Sequence, residues 1–67
     1  MTNSIKVERA KRNITQAQLA ENLSVSRQTI NSIEIGKFIP STLLALKIAK
    51  FFNSTVDEIF KLEDNEF

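Results

Sequence analysis

From Arg27 to Ser32 the sequence reads RQTINS. Five of these six side chains are polar, and only Arg27 is charged. A helix face meant only for water usually carries Glu and Lys. This one carries groups that donate and accept hydrogen bonds in pairs. Arginine can grip guanine through two parallel bonds, and glutamine or asparagine can grip adenine. A threonine methyl can meet the methyl group of thymine. Arg27, Gln28, Thr29, Asn31 and Ser32 therefore offer base-edge recognition, a chemistry of hydrogen bonds with no covalent step. Gln16, the free N–H groups beside it and Lys37 could position phosphates around such a face.

Other chemistry is scarce. The chain has no cysteine, so it has no disulfide and no thiolate metal site. It has no histidine, the commonest general base and transition-metal ligand. No nucleophile–base pair or metal cluster can be assembled. An enzyme is the weakest class, and no cofactor, metal or small-molecule ligand is expected. No apolar run approaches the roughly 20 residues that span a bilayer. The first residues, MTNSIKVERAKRN, lack the apolar stretch and cleavage site of a signal peptide. The cytoplasm is the expected location.

The net charge of +1 hides a division. Residues 1–50 hold eight Lys/Arg against three Glu, a balance of +5; residues 51–67 hold one Lys against five Asp/Glu, a balance of −4. A basic body with an acidic end suits a polyanion bound on one side only.

Sixty-seven residues make one small domain, read here as spanning residues 1–67. One Gly and one Pro leave little punctuation, which favours helices. The pattern predicts an all-α fold of five helices, at about residues 3–12, 16–23, 27–35, 42–52 and 56–61. Thr15 with Gln18 forms a capping-box pattern before the second helix, and Thr55 with Glu58 repeats it before the fifth. Ser26 and Ser41 are natural N-caps, and Gly36 suits the left-handed position after the third helix. The fourth helix is apolar almost all round, so it is expected to be central, with Lys47 and Lys50 wet. Phe51 and Phe52 are read as core rather than as base-stacking platforms. Lys6, Lys11 and Arg12 are read as a solvated face of the first helix.

The second and third helices are separated only by Ser24-Val25-Ser26. So short a break forces two helices to cross steeply and share a small core, the helix-turn-helix geometry. Ala20 is small enough for the crossing. Leu19 and Leu23 before the turn, and Val25, Ile30 and Ile33 after it, supply the anchors. At about 100° per residue, Ile30 and Ile33 point one way while Arg27, Gln28, Asn31 and Ser32 point the other. Ser24 takes the turn position where Gly is common, at roughly 1 kcal/mol if the backbone is left-handed there.

The order TQAQLAENLSVSRQTINSIEIGKFIPS, followed by LALKIAKFFN and DEIF, resembles the phage Cro and lambda-repressor type of helix-turn-helix domain. It looks closest to the small bacterial transcriptional regulators built of little else. The resemblance runs from about Ile5 to Phe60 and implies a lambda-repressor-like five-helix fold, a symmetric homodimer and a palindromic double-stranded DNA operator. It aligns Gln16 with a DNA contact of the second helix. Ser26, Arg27, Gln28, Thr29 and Ser32 fall on recognition-helix positions. Arg9 and Glu34 fall on an internal ion pair joining the first helix to the third. Ser24 and Thr42 depart from the family pattern at places that affect packing rather than the DNA face.

The tail LEDNEF is acidic yet carries Leu62 and Phe67. With Val56 and Ile59 it is read as a dimer contact within residues 56–67, turned away from DNA. The N-terminal residues could also pair with the tail as a short two-stranded sheet. The leading function is a dimeric, sequence-specific transcriptional regulator, most simply a repressor. Two alternatives use the same fold. An antitoxin would bind a toxin as well as DNA, but only residues 61–67 lie outside the predicted fold to serve it. A pure protein-interaction module would tolerate scrambling of Arg27, Gln28 and Thr29.

Overall fold

The computed structural model describes residues 1–67. In chain order the elements are β1 (Thr2–Asn3), α1 (Ile5–Arg12), α2 (Gln16–Leu23), α3 (Arg27–Glu34), α4 (Thr42–Phe51), α5 (Val56–Ile59) and β2 (Phe60–Lys61). A 3-10 turn at Asp64–Glu66 ends the chain. The fold is the expected set of five helices, and the terminal sheet forms. β1 and β2 pair antiparallel, with Thr2 opposite Lys61 and Asn3 opposite Phe60.

This pairing shortens both flanking helices relative to the sequence pattern. Asn3 lies in the strand, and its Oδ1 accepts the Ile5 amide, so α1 starts at Ile5. Its Nδ2 donates to the Ile33 carbonyl at 2.9 Å, which ties the first strand to the end of α3. α5 stops at Ile59 because Phe60 turns into the ladder.

The caps decide where most other helices begin. Thr15 and Gln18 form the reciprocal box, with both bonds present. Ser26 and Ser41 accept from the backbone amides of Thr29 and Leu44. The box expected at Thr55 does not form. Its hydroxyl donates to the Asp57 and Glu58 carboxylates instead of accepting from the backbone. That bond holds the Asp57 carboxyl below its ordinary range. The hydroxyl is turned toward these two acids, and no backbone amide of α5 donates to its oxygen.

The core gathers Ile5, Leu19, Leu23, Ile30, Ile33, Ile48, Phe52 and Ile59 from all five helices. Phe52 is buried and Phe51 packs against it edge-on, ring centroids 5.1 Å apart. Arg12 is more than part of a solvated face. Its guanidinium lies 4.9 Å from the Phe52 ring centroid and donates to the Phe52 carbonyl at 2.8 Å. Glu8 pairs with both Arg12 and Lys11. α4 is not enclosed on every side. Leu44, Ala45, Ile48 and Ala49 face the core, while Leu43 and Leu46 are exposed. Lys47 is half-buried and donates to the Leu23 carbonyl at 2.7 Å, closing the C-terminal end of α2. No helix is long and apolar enough to cross a membrane.

The tail is fastened rather than frayed. The Met1 amine pairs with Glu66 at 2.7 Å and with Glu63 at 3.3 Å. The Glu66 bond raises the amine pKa, and the amine in turn lowers that of Glu66. The amine's contribution is therefore full below its ordinary value of about 8 and fades as pH rises through the raised one. The Glu66 contribution is full above about 4.3 and fades as pH falls through the lowered value. The latch should hold best between those limits. Heteronuclear relaxation of residues 62–67 should report growing mobility outside that window and none inside it. Equal mobility throughout would mean that the ion pair does not order the tail.

Candidate nucleic-acid interface

The crossing of α2 and α3 is made by small and branched apolar residues. Leu19, Ala20 and Leu23 on α2 meet Ile30 and Ile33 on α3, with half-buried Val25 packed against them. Ser24 adopts the left-handed conformation, φ 58°, and its amide donates to the Glu21 carbonyl. The Val25 amide closes onto the Ala20 carbonyl at 3.0 Å. The turn thus needs the costly conformation that the sequence places on a serine.

With Ile30 and Ile33 anchored, the opposite side of α3 faces outward. Arg27, Gln28 and Asn31 are exposed, and Thr29 and Ser32 are half-buried at its edge. Ser26 is exposed but already engaged. Its hydroxyl caps α3 at the Thr29 amide and shares a 2.8 Å bond with the Thr29 hydroxyl. Lys37 is exposed in the loop after α3. Gly36 beside it has φ 82°, a conformation glycine adopts without strain.

A network links this face to the interior. Arg9 donates through Nε to Glu34 Oε2 at 2.6 Å and through Nη2 to Oε1 at 3.1 Å. Its Nη1 reaches the Ile14 carbonyl at 3.0 Å. The pair is largely withdrawn from water, with the Arg9 side chain 13% and the Glu34 side chain 6% exposed. The Glu34 bonds raise the Arg9 pKa further above its ordinary value. Gln16 extends the network outward. Its Nε2 donates to Glu34 Oε1 and to Asn31 Oδ1, each at 3.1 Å, and its Oε1 accepts from Arg27 Nη1 at 3.2 Å. Every buried side-chain polar atom has a partner.

Gln16 and Asn31 thus have a bracing role that the sequence reading did not assign. A signal was available, since Arg27, Asn31 and Glu34 are spaced i, i+4, i+7 and share one stripe. The edge of α3 that carries Thr29 and Ser32 holds a second unassigned feature. Phe38, 48% exposed, borders a hollow of about 250 Å³ with Ser26, Gln28, Thr29 and Ser32.

The residues read as dimer contacts separate. Leu62 and Phe67 are exposed and Val56 is half-buried. Ile59 is 1% exposed and belongs to the chain's own core. Its apolar spacing reflects internal packing, so it is withdrawn as a partner contact. A second group of exposed apolar side chains lies elsewhere, at Ile39, Leu43 and Leu46, of which Leu43 is 69% exposed.

Residues 5–59 match the family model described as helix-turn-helix. The chain is 54% identical over 66 residues to an uncharacterized HTH-type transcriptional regulator of Methanocaldococcus jannaschii, covering 98% of this chain and 100% of that protein. It is 44% identical to the uncharacterized HTH-type transcriptional regulator YgzD of Bacillus subtilis, covering 96% and 97%. It is also 45% identical over 56 residues to the HTH-type transcriptional activator BcrR of Enterococcus faecalis, spanning 84% of this chain and 28% of that protein. The relatives thus include archaeal as well as bacterial proteins.

Proposed function

The chain belongs to the Cro/C1-type helix-turn-helix family, a non-enzymatic class of DNA-binding transcription regulators, and from that premise we propose that it is a dimeric repressor reading the major groove with α3. The observation that carries this reading is the outward face of α3, polar yet nearly uncharged, held in place by Ile30 and Ile33. Hydrogen bonds read bases, whereas charge mainly reads phosphate. Arg27, Gln28 and Thr29 are assigned to bases, with Ser32 beside them. Asn31 is assigned to bracing Gln16 instead. Gln16, Ser26 at the start of α3 and Lys37 flank the face and serve the phosphates.

A repressor of this size acts by occupying promoter DNA that polymerase needs. A mobility shift with DNA from upstream of its own gene, at low salt, tests the reading. A shift that competitor DNA of random sequence removes only in large excess supports it; no shift by folded protein sinks it. Activation is the second reading, favoured by the name of the E. faecalis relative. Transcription in vitro from the bound promoter separates the two by its sign.

Lys37→Ala should weaken binding to all duplexes alike. The slope of log affinity against log salt should fall by about 1. An unchanged slope would remove Lys37 from the phosphate contacts.

A second copy of the chain is proposed to dock on Ile39, Leu43, Leu46 and Val56. These four side chains are apolar, so the surface can pack against its own copy across a two-fold axis without opposing like charges. It follows directly from the loop after α3, and Ile39, Leu46 and Val56 of this face wall a groove of about 230 Å³ together with Phe60. Dimers of this kind place two recognition helices roughly 34 Å apart on DNA, and one chain measures only 33 × 22 × 20 Å. Leu43 is exposed in the monomer, so Leu43→Glu should fold normally and weaken dimerisation at least about tenfold, because it buries an unpaired charge at the contact. Sedimentation equilibrium with circular dichroism checks this. An unaffected dimer would return the contact to Leu62 and Phe67.

A further inference from the structure

Gln16 lies between the buried ion pair and the outward face of α3. Its side-chain amide has a donating end and an accepting end, exchanged by a half-turn about one bond. The Glu34 carboxylate, paired with Arg9, only accepts hydrogen bonds. It therefore admits one orientation of Gln16. Nε2 turns inward and donates to Glu34 Oε1, and it also donates to Asn31 Oδ1, each at 3.1 Å. Both of its protons are then used. Oε1 is left to accept from Arg27 Nη1 at 3.2 Å.

The reverse orientation fails at both ends. It would set Oε1 against the carboxylate and Nε2 against a guanidinium that has no accepting group. Asn31 cannot choose between the two orientations, because its own amide can turn either way. The choice comes from the inner end, at Glu34. The effect reaches the outermost side chain. The Arg27 guanidinium is exposed and makes no other hydrogen bond within the chain. Ordering such a long side chain at an interface costs affinity, and this bond orders it beforehand.

We propose that Glu34 is a positioning residue for DNA recognition, acting through the Gln16 amide to set the direction of Arg27. A buried carboxylate that touches no base then governs the preference at the base that Arg27 reads. This role rests on the major-groove reading of α3, and it is separate from the contribution of the ion pair to stability.

The test uses the full chain. Arg9→Leu combined with Glu34→Leu removes both charges together, leaves no uncompensated ion and keeps Gln16 and Arg27. Circular dichroism checks that it folds. In the free wild-type protein, the Gln16 side-chain amide protons should exchange with water more slowly than those of Gln18, whose Nε2 has no partner and whose Oε1 accepts the Thr15 amide. In the double variant the two should become alike. Binding is then measured on a duplex selected from a random-sequence pool and on its single-base variants. The double variant should lose about two- to tenfold of the preference at one base pair, the one that Arg27→Ala also affects. Gln16→Met leaves the ion pair intact and should lose the same preference, which keeps the test open if the double variant does not fold. Adding Gln16→Glu to the double variant should restore the preference, since a carboxylate accepts from Arg27 in either orientation.

An ion pair with only a structural duty would change affinity for all duplexes alike. That result would overturn the proposal, as would full preference in the folded double variant or in Gln16→Met, or a Gln16→Glu addition that restores nothing. Gln16 protons that exchange as fast as those of Gln18 in the wild type would overturn it without touching the DNA reading. If those protons are protected but no duplex is selected, the DNA reading itself fails and the positioning role fails with it.

Discussion

Arg9→Ala is expected to lower the unfolding free energy by about 3–5 kcal/mol, the usual cost of leaving one member of a buried pair uncompensated. The Glu34 side chain is only 6% exposed, and Arg9 is its only cationic partner. After the substitution it keeps one neutral donor, the Gln16 amide. The Ile14 carbonyl loses the guanidinium as well. A domain of this length has roughly 3–10 kcal/mol of stability in all. The variant should therefore be partly unfolded near body temperature, with Tm lowered by about 15 °C or more. Replacing both residues by leucine should recover most of the loss, since the uncompensated charge is then gone. Thermal melts followed by circular dichroism decide the matter. A single-variant cost below about 1 kcal/mol would place the pair among ordinary surface ion pairs.

Arg27→Ala should reduce affinity for the selected duplex by about 10- to 100-fold, the range for one bidentate contact with a base. The same change should relax discrimination at a single base pair. Arg27→Lys keeps the charge but not the planar fork, so it should hold the salt dependence and still lose the discrimination. The free protein already orients this guanidinium, because Arg27 Nη1 donates to Gln16 Oε1. Gln16 is held in turn by Asn31 and Glu34. Titrations against the selected duplex and its single-base variants measure both effects. Equal loss on every sequence would make Arg27 a phosphate contact.

The parts of this molecule that were legible in the sequence are those governed by neighbours along the chain. The limits of α2 and α3 follow from Thr15, Gln18, Ser26 and Gly36, all of which act within one turn of themselves. The outward direction of Arg27, Gln28 and Asn31 follows from the spacing of Ile30 and Ile33. The Arg9–Glu34 pair, 25 residues apart, was suggested only by family resemblance. The Gln16 network depends on how steeply α2 crosses α3, which no local pattern states. Periodicity also does not distinguish burial in the chain's own core from burial against a partner. That is why Ile59 was read as a contact and why α4 was read as enclosed. At Thr55 the capping pattern was present, but two nearby carboxylates took the hydroxyl.

Selection of bound duplexes from a random-sequence pool tests the central claim most directly. The account predicts one enriched motif with two-fold symmetry, its half-sites centred about 10–10.5 base pairs apart. Substitution of Arg27 or Gln28 should change the bases within a half-site and leave the spacing unchanged. Folded protein that enriches no sequence at low salt, or whose enriched motif is indifferent to these substitutions, would contradict it.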